Sequence, residues 1–526
     1  MKIVRIFTFV ISIAFISSCT ETWNEHYNVI EGERSELNIA EYIKSQPDLS
    51  TFSKMLEISG YDSILSKSQT YTVWTPTNSA LTNIDLNDTV AITELVENHI
   101  TRFNNTTSGL QTKTIMMLSK KFVLFKREGT EFFIGNCKLH DGQYNKAVSN
   151  GTIHLIDSYM PYLSNIWEFI RRTPGLDSLW NYLNSQSTYE FDLISSVEIG
   201  TNEYGQSVYD SVINFSNPVL DKIGQLQLED SSYMAILPDN AAWIKAYNKI
   251  KDGYKTYGTG GEILQRLNTN NALVNNLIFR DLVSDPASVD SITSTTGSKF
   301  NNPSYLFDGA QKYDLSNGIA WISDSLRFKA ADTWQKSIKI EAENSDYGRT
   351  SVYSDLSVLS SLGSVYNSQI SDSKFLVVKP NTVSLTQKSA VTFPIPNTLS
   401  GAYNIYCVFV PSEIASETDT KPYRVSFSLS FRDAKGNLIT DAVVTSTHGI
   451  NTNSSALPAA FTTTKSEITK MFVAKYTFPW CNLIADKSES ANINVKLKVQ
   501  SEALITQMAL YNRIFRIDYI VLEAAE

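Results

Sequence analysis

The residues best suited to touching a ligand are aromatic: Tyr347, Tyr353 and the group Tyr476, Phe478 and Trp480, all in the last third of the chain. A sugar ring exposes C–H faces that pack on flat aromatic side chains, so a glycan site needs aromatics on loops beside hydrogen-bonding groups. Tyr347 and Trp480 lead this set because turn-forming neighbours place them near loops; aromatics are otherwise mostly buried. Bond-making chemistry is not spelled out. There is no HExxH, GxSxG, Walker loop or dinucleotide glycine fingerprint. The five histidines, His26, His99, His140, His154 and His448, show no ligand spacing, and His154, in an alternating stretch after Asn-Gly, reads as packed. A glycosidase carboxylate pair is close in space and not in sequence, and nothing among the 54 acids suggests one. The glycine-rich "YGTGGEIL" (257–264) follows a lysine-rich helical stretch rather than a strand and reads as a loop.

The N-terminus "MKIVRIFTFVISIAFISSC" has a basic start, a short apolar run and small residues before Cys19, a secretory signal pattern. It is shorter than the roughly 20 apolar residues of a membrane span. Ile16-Ser17-Ser18-Cys19 resembles the lipobox of bacterial lipoproteins, which implies cleavage before Cys19 and lipidation of that residue. Cys137, Cys407 and Cys481 are too few and scattered for a disulfide framework or a CxxC metal site. Cys407 and Cys481 could pair, but the alternation in "YNIYCVFV" equally makes Cys407 a buried strand residue, and burial is the preferred reading. The net charge of −9 comes without any basic block, which argues against nucleic acid as a partner.

A long internal repeat organises the first two thirds. "IAEYIKSQPDLSTFSKML" (39–56) aligns without a gap with "IWEFIRRTPGLDSLWNYL" (166–183), each reading as a short helix stopped near a proline and a second helix with one apolar stripe. "YTVWTPTNSAL" (71–81) returns as "SYMAILPDNAAW" (232–243), a strand running into a helix, with Thr77 or Asp239 offering a cap oxygen. "LVENHI" (95–100) returns as "LVNNLI" (273–278). "SNGTIHLIDS" (149–158) returns as "SNGIAWISDS" (316–325), where Asn-Gly predicts a tight turn at positive φ before a strand. The second copy carries an extra segment, 197–215, that reads as an added hairpin. These motifs resemble the fasciclin domain, over 36–162 and more weakly over 163–330. The family often has Tyr-His before its central strand; this chain has Asn98-His99 and then Asn276-Leu277, a departure from the position the family is proposed to use in adhesion.

From Trp334 onward the pattern changes to short strands with turns, which predicts a β-sandwich or jelly roll. "IEAEN", "NTLSGAYNIYCVFV" and "FRIDYIVLE" resemble carbohydrate-binding modules of the galactose-binding-like type. That resemblance implies a structural calcium ion held by Glu341, Glu343 and Asp518. Glu341 and Glu343, two apart, would share one face of a strand, and hard oxygen ligands suit Ca²⁺. The expected organisation is a signal peptide (1–18), a tether (19–35), two mixed α/β fasciclin-like domains (36–162 and 163–330) and a sandwich (335–526). The combination resembles accessory lipoproteins of Bacteroidota. It implies a non-catalytic, lipid-anchored protein of the outer membrane, facing the cell surface, with a polysaccharide as ligand and SusC/SusD-like transporter subunits as partners. A protein-adhesion or docking module is the rival expectation.

Overall fold

The computed structural model describes residues 34–201, 207–382, 387–415, 420–453 and 455–525. Cys19 and the signal segment lie outside the described residues. Two compact units emerge among the described residues: one holds residues 34–169 with Leu226–Ser232 and Asp314–Gly318, the other holds the remaining described residues.

The first repeat opens with α1 (Ile39–Ser45) and α2 (Ser50–Ser59). Asn38 and Glu41 cap α1 reciprocally, each side chain accepting the other's backbone N–H. Pro47 stops that helix and starts a short 3₁₀ turn. Phe52, Met55 and Leu56 form the buried stripe of α2. After α3 (Tyr61–Leu65) comes β1 (Tyr71–Pro76), buried at every position, then α4 (Thr89–Glu97) and β2 (Ile100–Arg102). A meander of β3 (Thr112–Met116), β4 (Phe122–Glu128), β5 (Glu131–Ile134) and β6 (Cys137–Lys138) follows, then β7 (Lys146–Val148) and β8 (Gly151–Ile156). The sheet order is β2-β1-β8-β7, with β1 and β8 parallel. Gly151 is required here, because a Cβ would collide with the Tyr71 carbonyl of the facing strand.

The second repeat has α5 (Ile166–Arg172), α6 (Asp177–Ser185), the added antiparallel hairpin β9 (Thr188–Thr201) and β10 (Ser207–Ser216), and α7 (Pro218–Ile223). Next come β11 (Tyr233–Pro238), α8 (Asn240–Ile250), α9 (Gly261–Val274) and β12 (Ile278–Phe279). The small pair β13 (Ser291–Thr293) and β14 (Lys299–Asn301) precedes β15 (Gln311–Leu315) and β16 (Gly318–Ser323). The order β12-β11-β16-β15 reproduces that of the first repeat. "YGTGGEIL" is only half a loop, since α9 starts at Gly261; Gly260 in the left-handed region makes the entry.

Asparagine side chains explain why the repeated motifs persist. Asn78 accepts from the Thr51 N–H at 2.9 Å, and Asn240 accepts from the Ser178 N–H at 2.8 Å, the aligned position. Asn150 accepts from the Ile39 N–H and donates to the Leu65 and Lys67 carbonyls. Asn317 repeats this with the Ile166 N–H and the Leu226 and Leu228 carbonyls. Neither Asn150 nor Asn317 has positive φ. Their amides, not their backbone freedom, are what the turn needs, because buried helix-start N–H groups must find acceptors. Asp239 caps α8 through the Ala242 N–H at 2.7 Å, as expected, whereas Thr77 makes no cap bond and meets the Ser79 hydroxyl instead.

The sandwich consists of two sheets. Its strands are β17 (Ile338–Glu341), β18 (Thr350–Val352), β19 (Ser354–Ser360), β20 (Lys374–Pro380), β21 (Ala390–Pro394) and β22 (Gly401–Phe409). The chain continues with β23 (Arg424–Arg432), β24 (Leu438–Val444), β25 (Ile450–Asn451), β26 (Phe461–Thr462), β27 (Thr469–Phe478), β28 (Lys496–Ser501) and β29 (Phe515–Ala524). One sheet runs β19-β20-β29-β22-β27 with β17 also on β29; the other runs β18-β21-β28-β23-β24-β25 with β26 on β23. Inward alternation, as at Tyr403, Ile405, Cys407 and Phe427, Leu429, Phe431, fills the core between them. Cys407 is buried on β22 and, among the described residues, no disulfide forms.

Candidate functional site

Within the second unit, the loop after β27 and the helices of the second repeat enclose a cleft of about 730 Å³, inside the range of roughly 300–1,000 Å³ usual for ligand sites. Trp480 stands in its wall, half-buried, its Nε1–H donating to the Asp433 carbonyl at 2.9 Å. Tyr257 meets the indole edge-on at 5.6 Å between centroids, and the Arg432 guanidinium lies over the Tyr257 ring at 4.7 Å. Gly436 makes room for that tyrosine, since any Cβ there would collide with the ring and its φ of +88° is strained for other residues. The junction is pinned by backbone bonds: the Cys481 N–H donates to the Lys255 carbonyl at 2.7 Å, and the Ser400 N–H to the Gly253 carbonyl at 2.9 Å.

The opposite wall is a polar stripe on α9. Asn268 and Asn271 line the cleft with Asn275, which caps the helix, at three- and four-residue steps that share one helix face, continued by Leu264. Asparagine is a poor helix former, because its side chain competes for nearby backbone groups. Three on one face place a row of amides where a ligand can use them. Asn271 accepts from the Tyr182 hydroxyl at 2.7 Å, which fixes its orientation. Asn482, on the Trp480 side, accepts from the Asn494 and Val495 N–H groups and so orders the loop. Trp480 is legible in the sequence by its type and its turn-forming neighbours. Tyr257 and the α9 stripe escape sequence reasoning, although the three- and four-residue recurrence of Asn is a signal that could have found the stripe.

Tyr347 does not line this cleft. It is half-buried beside the Asp346–Lys487 ion pair. Tyr476 is half-buried and packs on the buried Phe431 and Phe478, and Tyr353 is exposed at a left-handed position.

The acids expected to hold calcium converge only in part. β17 ends at Glu341, so Glu343 sits past the strand and the two do not share its face. Asp518 is fully buried on β29 and accepts from the Ser371 N–H at 3.1 Å, while the Ser371 hydroxyl donates to Glu341 at 2.8 Å. Lys339 pairs with Glu341 at 2.6 Å. Burial pushes the Asp518 carboxyl up to about 7, with the Glu341 and Glu343 charges adding to it. Buried Oε2 atoms of Glu341 and Glu343 have no hydrogen-bond partner. The donor chemistry suits a hard cation, but among the described residues no three His, Cys, Asp or Glu side chains form a group able to hold one.

In the first repeat, His154 is stacked on Trp74 at 5.7 Å and bonded through Nε2 to the Asn105 carbonyl at 2.8 Å. His99 is bonded through Nδ1 to the Leu95 carbonyl at 2.7 Å, and its Nε2 accepts from the Met160 N–H at 3.0 Å. Residues 47–161 match the fasciclin domain. In this fasciclin domain both histidines are fully buried, so His99 supports the fold from inside and offers no surface to a partner.

Solved structures resemble separate parts of the chain. An insect FAS1 domain pair from the cell adhesion molecule fasciclin I is 13% identical, with a TM-score of 0.21, over 54% of this chain and 98% of that one. A family 35 carbohydrate binding module from Clostridium thermocellum is 9% identical, with a TM-score of 0.19, over 36% of this chain and 99% of that one. A xylan-binding domain of CBM 22 is 11% identical, with a TM-score of 0.21, over 35% and 92%. No curated protein is significantly similar in sequence.

Proposed function

We propose that this chain is a non-catalytic cell-envelope protein that captures polysaccharide in the cleft bounded by Trp480, Tyr257 and the α9 asparagines. The observation that carries this reading is the pairing of aromatic surfaces with a row of amides in a cavity of ligand size. Sugars are bound by such a combination, with flat apolar faces on one side and directional hydrogen bonds on the other. Affinity electrophoresis of the full chain through gels carrying a broad panel of polysaccharides tests it. Retardation by at least one polymer, lost in Trp480→Ala, is the expected result; no retardation by any polymer refutes the reading.

Anchoring through lipidated Cys19 at the outer membrane, facing outward beside SusC/SusD-like subunits, completes the proposal. Cys19→Ala should leave the membrane fraction or remain uncleaved, and a variant still processed and anchored refutes the anchor. A structural calcium held by Glu341, Glu343 and Asp518 does not fit the geometry, since among the described residues no three acids form a group able to hold a metal ion. Equal melting temperatures of the full chain in calcium and in chelator are expected; a rise with calcium, by mass action on the folded state, would restore the ion.

Protein adhesion is the second reading, favoured by the fasciclin domain and by the exposed apolar residues of the β9–β10 hairpin, among them Tyr189, Leu193 and Ile194. Recovery of a transporter subunit on pull-down, with no polysaccharide retained, would favour it.

A further inference from the structure

The cleft has a neighbouring hollow on its sandwich side. Arg432 and Asn494 line both the cleft and this second hollow of about 420 Å³, which runs over β23, β24 and β28 past Ser430, Thr440 and Lys496. Sharing two lining residues, the hollows adjoin at Arg432 and Asn494 and together form the groove. Its charge is out of character with the protein. The chain carries 54 acids against 45 Lys and Arg, yet among the described residues no Asp or Glu lines either hollow, while Lys222, Arg432 and Lys496 do. None of these three cations is in an ion pair among the described residues. Asp433, next to Arg432, is not its partner: its carboxylate accepts from the Lys435 and Asn437 N–H groups and the Asn437 amide inside the β23–β24 turn.

We infer that the ligand of this groove is an acidic polysaccharide, carrying uronate or sulfate groups, that lies from the Trp480 cleft across Arg432 to Lys496. Unpaired cations in a groove without carboxylates leave their charge for the ligand to neutralise, and charge-assisted hydrogen bonds from Arg and Lys to carboxylate or sulfate are the strong kind. Low-dielectric walls focus that field. Arg432 is positioned for the task by its stacking on Tyr257 and by a bond from Nη1 to the Gly436 carbonyl. These hold the guanidinium plane and leave its charge unneutralised, with five N–H donors to share between that carbonyl and an anion. The inference rests on the polysaccharide reading and adds the sign of the ligand's charge.

Matched polymers separate the two. The full chain is titrated with polygalacturonate and with the same polymer after carboxyl reduction, and with dextran sulfate and plain dextran, at low and at high salt. Binding to one acidic polymer and not to its neutral twin is expected, weakening with salt and falling about tenfold or more in Arg432→Gln and Lys496→Gln, since a charged hydrogen bond is worth about 1.5–3 kcal/mol. Lys496→Gln alters a partly exposed side chain outside the Tyr257 stack and keeps the test open should Arg432→Gln perturb Tyr257. The uronate and sulfate arms tell which anion is read. Equal, Trp480-dependent binding of acidic and neutral twins overturns the acidic-ligand inference and leaves polysaccharide capture standing. Acidic-polymer binding untouched by both substitutions overturns the assignment to this groove. Binding of neither twin defeats the inference together with the reading beneath it.

Discussion

The two repeats share their joints and differ in what hangs between them. Asn78 and Asn240 tie the strand exit to the same helix, and Asn150 and Asn317 tie the closing strand to the same helix start. Between the first joint and the next shared motif, however, the first copy runs only from Asn78 to Leu95, while the second runs from Asn240 to Leu273. That longer stretch contains Tyr254, Tyr257, Asn268 and Asn271, all of which line the cleft. The frame repeats because buried backbone groups must be satisfied in the same way each time; the cleft arises where the copies stop repeating.

The titratable cores differ as well, and this gives the largest expected effect. His99 and His154 align with Leu277 and Trp321, so only the first copy buries imidazoles. Burial lowers both from the ordinary 6.5 to about 4. A depressed folded-state pKa confers stability that is complete above the unfolded value and is lost as pH falls from 6.5 through 4. Each tenfold change in proton affinity is worth about 1.4 kcal/mol, so each histidine contributes about 3 kcal/mol. Asp518 in the sandwich has the opposite sign: raised from 3.8 to about 7, it contributes stability below 3.8 that is lost as pH rises toward 7. Hydrogen exchange across that range in chelator should show β1 and β8 losing protection on acidification while β11 and β16 hold theirs. Equal loss in both copies breaks the comparison.

Smaller effects probe the joints. Asn150→Ala and Asn317→Ala each remove one acceptor and two donor bonds from a buried setting and should cost roughly 2–4 kcal/mol, read from denaturant midpoints. Similar losses sharpen the parallel; a tolerated substitution in either copy breaks it. Smallest is the cap. Asp239→Ala should cost about 1 kcal/mol and Thr77→Ala under about 0.5 kcal/mol, because only Asp239 accepts a helix-start N–H.

Periodicity and turn chemistry make the architecture legible: the helix pairs around Pro47 and Pro174, the buried strands at 71–76 and 233–238, the hairpin before Phe215 and the alternating strands of the sandwich all follow from apolar spacing. Side-chain hydrogen bonds are not periodic, so Asn-Gly points to backbone freedom at Asn150 and Asn317 where amide bonding is the actual reason. The Glu341–Glu343 pair fails for a similar cause, since a two-residue step shares a face only while the strand lasts, and β17 stops at Glu341. The cleft itself is half visible. Trp480 stands out by type, but its partners Tyr257 and Arg432 lie far away in sequence, and only folding brings a tyrosine of the second repeat under an arginine of β23.

The central claim, that the divergent segment of the second repeat and the Trp480 loop together form the polysaccharide site, is tested most directly by calorimetric titration of the polymer that most retards the protein. Wild type is compared with Trp480→Ala, Tyr257→Ala and, as the first-copy control, Phe103→Ala, an exposed side chain beside a hollow of that fasciclin domain. Loss of about tenfold or more in affinity on removing either cleft aromatic, with Phe103→Ala unchanged, is the predicted result. Undiminished binding in both Trp480→Ala and Tyr257→Ala, or loss in Phe103→Ala alone, would contradict it.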